Sequence, residues 1–170
     1  ITDINSHSIG IELDYSFNNK NNKFTNKMIN SLQYLLRYLV KKYKIKQWNI
    51  IGHSDIAPTR KQDPGPKFPW HELEKFGLVF KVRENFNFDL MMIIFWFKKH
   101  KIKTKRDISI FILSYIGYNT LEIINKPNLT KKLITNYQSR YTQFNVTGKI
   151  DNITYDFLLK HFLSLILTKG

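Results

Sequence analysis

The stretch "NIIGHSDIAPTRKQDPGPKFPW", Asn49 to Trp70, gathers the residues of this chain best suited to chemistry. An apolar run ends in His53, and Asp63 follows on a segment stiffened by Pro58, Pro64 and Pro66. A histidine and a carboxylate on separate rigid elements are suitable zinc ligands. Lys61 stands just before Asp63 and would bring a cation to the same cleft, where it could stabilise an oxyanion. Far upstream, Glu12 lies on the polar side of an alternating run, with Gly10 leaving space beside it. A lone carboxylate there could serve as general base for a metal-bound water. Each has a plainer reading from residue type alone. Such a histidine is usually a hydrogen-bonded structural residue, a lone strand glutamate is usually solvated, and a lone lysine usually lies at the surface.

These residues need elements to position them. "SHSIGIELDY", Ser6 to Tyr15, alternates as a strand does, with Ile9, Ile11 and Leu13 on one face and Ser8, Gly10 and Glu12 on the other. Thr25 is a plausible N-cap for a helix running to about Tyr43, whose apolar stripe runs from Met28 to Tyr43 at helical period. "QWNIIG" then reads as a short buried strand that delivers His53 to a strand end. Strand, helix and strand give a βαβ-like unit, hence an α/β fold with a mixed sheet flanked by helices.

From about Phe88 the pattern is helical only. Four segments, "FDLMMIIFWFKKH", "KRDISIFILSYIGY", "NLTKKLITNYQSRY" and "NITYDFLLKHFLSLIL", carry it, with Asn152 as candidate cap of the last. The expected organisation is a first domain over 1–78, a linker over 79–87 and a small all-α domain over 88–170.

The 170 residues are 42% apolar and 15% aromatic, which makes a packed core feasible. The net charge of +14 raises the prospect of an anionic partner: nucleic acid, anionic lipid or cell-wall polymer. The lysines, however, are spread over both halves, as on a solvated surface. No groove-reading motif accompanies them, so nucleic acid is not an expected partner. The absence of cysteine excludes a disulfide framework and a thiolate metal site. The longest apolar run, "LMMIIFWF", is far short of the roughly 20 residues that span a bilayer, and it reads as a buried helix.

"SIGIEL" followed by "IIGHSDIAPTRKQDPGPKFPW" closely resembles the zinc-dependent N-acetylmuramoyl-L-alanine amidases of the type-2 amidase family. The resemblance covers about residues 1–76. It implies that His53 and Asp63 ligate zinc, that Glu12 helps to activate water and that Lys61 stabilises the tetrahedral intermediate. Asp55, Pro64 and Gly65 would shape the loop. The family's zinc takes two histidines and an aspartate, so the resemblance implies a third ligand and opening strands absent from this chain. Three accounts of that gap are a fragment of a full enzyme, a product of a split or decaying gene, and an upstream polypeptide that completes the catalytic domain. The second half resembles a helical peptidoglycan-binding module through Gln138, Gly148, Asp151 and Thr154. Together these imply a cell-envelope enzyme that cleaves the amide between N-acetylmuramic acid and L-alanine in peptidoglycan or muropeptides, incomplete as it stands. The alternative is a protein that binds peptidoglycan without cutting it.

Overall fold

The computed structural model describes residues 4–15, 23–86, 89–123 and 126–169. The expected polar loop after Tyr15 and the start of the first helical segment at Phe88 fall largely outside them.

The expected mixed sheet is not formed: among the described residues there is no β-strand. Asn5–His7 is a single 3-10 turn, and residues 9–15 carry no regular element. The alternation appears in burial only from residue 11: Ile11 and Leu13 pack on a core while Glu12 and Asp14 face solvent, and Ile9, expected on the same face, is 51% exposed. An apolar neighbour on one side is enough to produce that pattern. A strand also needs a ladder partner for its backbone N–H and C=O groups, and none of the described segments supplies one. "QWNIIG" departs likewise. Gln47–Asn49 is a 3-10 turn, and Ile51 is 44% exposed rather than buried.

The helices follow the sequence more closely. Helix α1 spans Asn26–Tyr43, with the Thr25 hydroxyl accepting from Met28 N at 3.2 Å and Lys44 ending it in the left-handed region. Ile29, Leu32 and Leu36 are its buried seam. They join Phe68, Trp70, Leu73, Leu78 and Val79 in one core, against which Ile11, Leu13 and Ile50 also pack. Two short helices, α2 (His53–Ile56) and α3 (Trp70–Glu74), flank the proline-rich loop.

Four longer helices complete the chain: α4 (Met91–Lys99), α5 (Lys105–Ile116), α6 (Pro127–Tyr141) and α7 (Asn152–Lys169). Phe97, Ile108, Ile112, Leu113, Tyr137 and Leu158 are the centre of their shared core. In α5 the Thr104 hydroxyl accepts from Asp107 N and donates back to the Asp107 carboxylate. The cap of α7 is Asp151, one residue before the expected Asn152, because its carboxylate accepts from Thr154 N at 2.8 Å. Phe80 and Val82 are buried with Leu165 of α7, and Arg83 N donates to Ser164 Oγ at 2.9 Å. Helix α4 corrects the reading of "LMMIIFWF" as buried. Only Ile93 and Phe97 of the helix are buried, while Met91, Met92, Phe95 and Trp96 are exposed.

Candidate functional site

The loop after α1 folds back on itself at α2. Asp55 caps the short helix by accepting from Gly52 N at 2.7 Å. Ser54 N donates to Asp63 O at 2.9 Å, which draws the far arm of the loop against the near one. Gly52 is needed at this crossing, since a Cβ there would lie 2.7 Å from Pro64 Cδ and 3.3 Å from the Trp70 ring. Gly65, at φ +79°, turns the chain back towards Phe68. The outcome is a contact between His53 Nδ1 and Asp63 Oδ2 at 2.9 Å.

His53 and Asp63 are thus brought together, with side chains 49% and 44% exposed. Lys61 is nearby in sequence and exposed; its backbone N–H is used by Ala57 O at 2.8 Å. Glu12 is exposed and forms no hydrogen bond or ion pair with His53, Asp63 or Lys61. As donors, an imidazole and a carboxylate open to solvent match zinc in type. A catalytic zinc takes about three protein ligands plus water. Among the described residues no group of three or more His, Cys, Asp or Glu side chains gathers. Of the other four histidines, His7 is exposed in the first 3-10 turn, His71 pairs with Glu72 at 2.9 Å, His100 lies against Trp96, and His161 is buried beside the Tyr137 hydroxyl. The described residues therefore supply two donors and do not by themselves fit a resident catalytic zinc.

Helix α6 grips this loop from outside. Asn136 Nδ2 donates to Pro58 O at 2.7 Å and to Lys61 O at 2.8 Å. Arg140 donates to Ile50 O at 2.9 Å and pairs with the Asp55 carboxylate, its guanidinium lying 4.2 Å from the Trp70 ring centroid. Gln143, just past the helix, donates to Pro66 O at 2.7 Å and Phe68 O at 2.8 Å. From α5's end, the Tyr118 hydroxyl donates to Asp55 at 2.6 Å. Burial opposes the charge on Arg140, but the Asp55 carboxylate overrides it and raises the guanidinium's pKa. Burial, reinforced by Asp55, holds the Tyr118 phenol well above its ordinary value, so it stays protonated as a donor. The sequence reading missed all four of these side chains. A signal existed for two of them: Asn136 and Arg140 are spaced i, i+4 on one helix face.

The residues that carried the second resemblance form a separate staple. Gln138, fully buried, donates to Thr147 Oγ1, Lys149 O and Thr154 Oγ1, and its carbonyl accepts from Thr147 N and Gly148 N. Gly148 has φ +68°, and a Cβ there would meet Thr135 Oγ1 at 2.8 Å. These contacts pin the α6–α7 connection.

The family described as N-acetylmuramoyl-L-alanine amidase matches residues 1–66. N-acetylmuramoyl-L-alanine amidase AmiD of Escherichia coli (strain K12) is 40% identical over 83 residues, 45% of this chain and 30% of that protein. A 1,6-anhydro-N-acetylmuramyl-L-alanine amidase AmpD of Haemophilus influenzae is 45% identical over 67 residues, 39% of this chain and 35% of that protein. These matches span about a third of the relatives' own length. Among solved structures, E. coli AmiD in complex with anhydro-N-acetylmuramic acid-L-Ala-D-gamma-Glu-L-Lys aligns at a TM-score of 0.66 and 22% identity, over 88% of this chain and 55% of that one. AMPDH3 of Pseudomonas aeruginosa aligns at 0.65 and 24%, over 82% and 53%. At that identity the likeness is one of fold, and it extends over both the loop region and the helices.

Proposed function

We propose, from the match of residues 1–66 to the family described as N-acetylmuramoyl-L-alanine amidase, that this chain carries the loop portion of an amidase active site. The reaction is hydrolysis of the amide joining N-acetylmuramic acid to the L-alanine of the stem peptide. The relatives named for the 1,6-anhydro substrate support a muropeptide as the molecule cleaved and the cell envelope as its source. The observation that carries the reading is the His53–Asp63 contact at 2.9 Å, inside the loop that matches the family.

In this reading His53 and Asp63 are two zinc ligands, Lys61 offers its ammonium to the developing oxyanion, and Glu12 is the general base. Zinc, when bound, would polarise the carbonyl and acidify water. Two donors hold a metal weakly and leave its geometry open. The 170-residue chain alone is therefore expected to bind zinc weakly and to release little or no peptide from muropeptides. Calorimetric zinc titration of the chain, of His53→Ala and of Asp63→Ala tests the assignment. Weak binding that disappears in both variants is expected. Binding unchanged in either variant would sink the ligand assignment. Tight one-to-one binding with muropeptide hydrolysis would show that a third ligand does exist within the chain.

A second reading is favoured by the incomplete donor set: retention of peptidoglycan without cleavage, through the cleft and the helical region over 88–170. Pull-down on isolated sacculi with no peptide released would support it.

A further inference from the structure

Helix α4 is apolar nearly all round, yet it buries one face only. Ile93 and Phe97 point into the helical core, with Leu90 and Ile94 packed beside them. The opposite face carries Met91, Met92, Phe95 and Trp96, exposed by 58%, 66%, 66% and 47%. A helix hydrophobic on all sides belongs either inside a larger core or in a membrane environment. Among the described residues nothing covers this outer face, although single exposed apolar residues elsewhere need no such account.

The charge beside it says what would. From Leu90 to Arg106 there is no acidic residue. Lys98, Lys99, Lys101 and Lys103 are exposed directly after the apolar face, and none of the four is ion-paired with another described residue. Lys98 and Lys99 also complement the α4 C-terminus. Lys101 and Lys103 lie past that helix's end, so the cluster is larger than capping requires. Trp96 stands between the two zones, its ring 4.5 Å from that of His100. An apolar face carrying aromatic side chains, with lysines at its margin, is the chemistry of a helix lying in a lipid interface. No helix is long and apolar enough to cross the bilayer among the described residues.

We infer that the outer face of α4 docks onto an anionic lipid surface, with Met92 and Phe95 entering the acyl boundary and the lysines meeting anionic headgroups. The experiment is sedimentation of the full chain with vesicles of phosphatidylcholine alone or mixed with phosphatidylglycerol. Binding at least about tenfold tighter to the mixed vesicles, weakening as salt is added, is expected. Met92→Ser with Phe95→Ser should lower it about tenfold or more, and Lys→Gln at 98, 99, 101 and 103 should weaken it and reduce its salt dependence. The absence of cysteine permits a second readout that needs no apolar side chain removed elsewhere. An environment-sensitive dye on Phe95→Cys should shift to the blue on mixed vesicles, while one on Tyr34→Cys, on α1, should not. No binding to mixed vesicles would overturn the inference. So would binding indifferent to both sets of variants, or dye shifts of equal size at the two positions. Self-association abolished by Met92→Ser/Phe95→Ser without any vesicle binding would assign the face to a second copy instead, and capture by sacculi in place of vesicles would assign it to cell-wall polymer.

Discussion

At Asp151 four donors converge on one carboxylate: Thr154 N and Oγ1, Asn145 Nδ2 and Thr147 Oγ1, all within 3.0 Å. Partial burial works against the charge, but these bonds outweigh it and hold the Asp151 carboxyl well below the usual range. A depressed carboxyl contributes stability that is present above its unfolded value, about 4, and is lost as pH falls through the folded value. Asp151→Asn can still accept from Thr154 N but loses the charge. Its deficit relative to the parent should be largest near pH 7 and shrink as pH falls below about 4. Urea midpoints of the two proteins at pH 7 and pH 2.5 measure this, and an unchanged gap would refute it. Asp151→Ala, which removes the cap altogether, should cost about 0.5–2 kcal/mol at pH 7. At this scale His53 and Asp63 could be named as candidate donors from residue type, and their roles come from the resemblance of the loop to the amidase family; the structure adds that the two side chains touch. Their separation in space could not be read from the sequence, since it depends on the Ser54–Asp63 backbone clasp and on the crossing at Gly52.

Helix α6 is the element on which the loop's shape rests. Its side chains satisfy the carbonyls of Ile50, Pro58 and Lys61, and Gln143 extends the row to Pro66 and Phe68. Those carbonyls belong to a segment too irregular to satisfy them itself, so removal of a donor leaves polar atoms stranded. Asn136→Ala should cost about 1–3 kcal/mol. Asp55→Ala is worse, because Arg140 is then buried without its counter-ion; about 3–5 kcal/mol is expected. Adding Arg140→Met to Asp55→Ala should recover part of that loss, as a chemical-denaturation double-mutant cycle would show. A cycle with no coupling energy would mean that the pair does not hold the loop. The helices themselves were read from period, caps and turns, which are local signals. The sheet was not, because alternation records which side of a segment is apolar and not whether another segment pairs with it. The α6 grip was equally hard to see: its donors lie roughly 75 to 90 residues from their acceptors, a separation at which sequence pattern carries no information.

Across the whole molecule the two cores, one around α1 and Trp70 and one among α4–α7, are joined by the α6 contacts and by Phe80, Val82 and Leu165. The α6 contacts pair backbone acceptors of one region with side-chain donors of the other, and the Phe80, Val82 and Leu165 contact is apolar, so separating the two regions breaks both kinds of contact. Over this framework lies a net charge of +14, from 27 basic and 13 acidic residues. Like charge at that density opposes the compact state. Screening relieves it, since the Debye length falls from about 30 Å at 0.01 M salt to about 8 Å at 0.15 M. The exposed pairs that salt would weaken, such as Lys75–Glu72 and Lys160–Asp156, are individually worth little. The melting temperature should therefore rise from low to physiological salt, by a few degrees for a gain of about 1 kcal/mol. Calorimetry across that range tests it, with a fall in melting temperature as the contrary result. The same addition of salt should loosen the docking of α4 on anionic lipid. Repulsion spread over the surface and attraction gathered at Lys98–Lys103 are thus separable, because one ion concentration moves stability and binding in opposite directions.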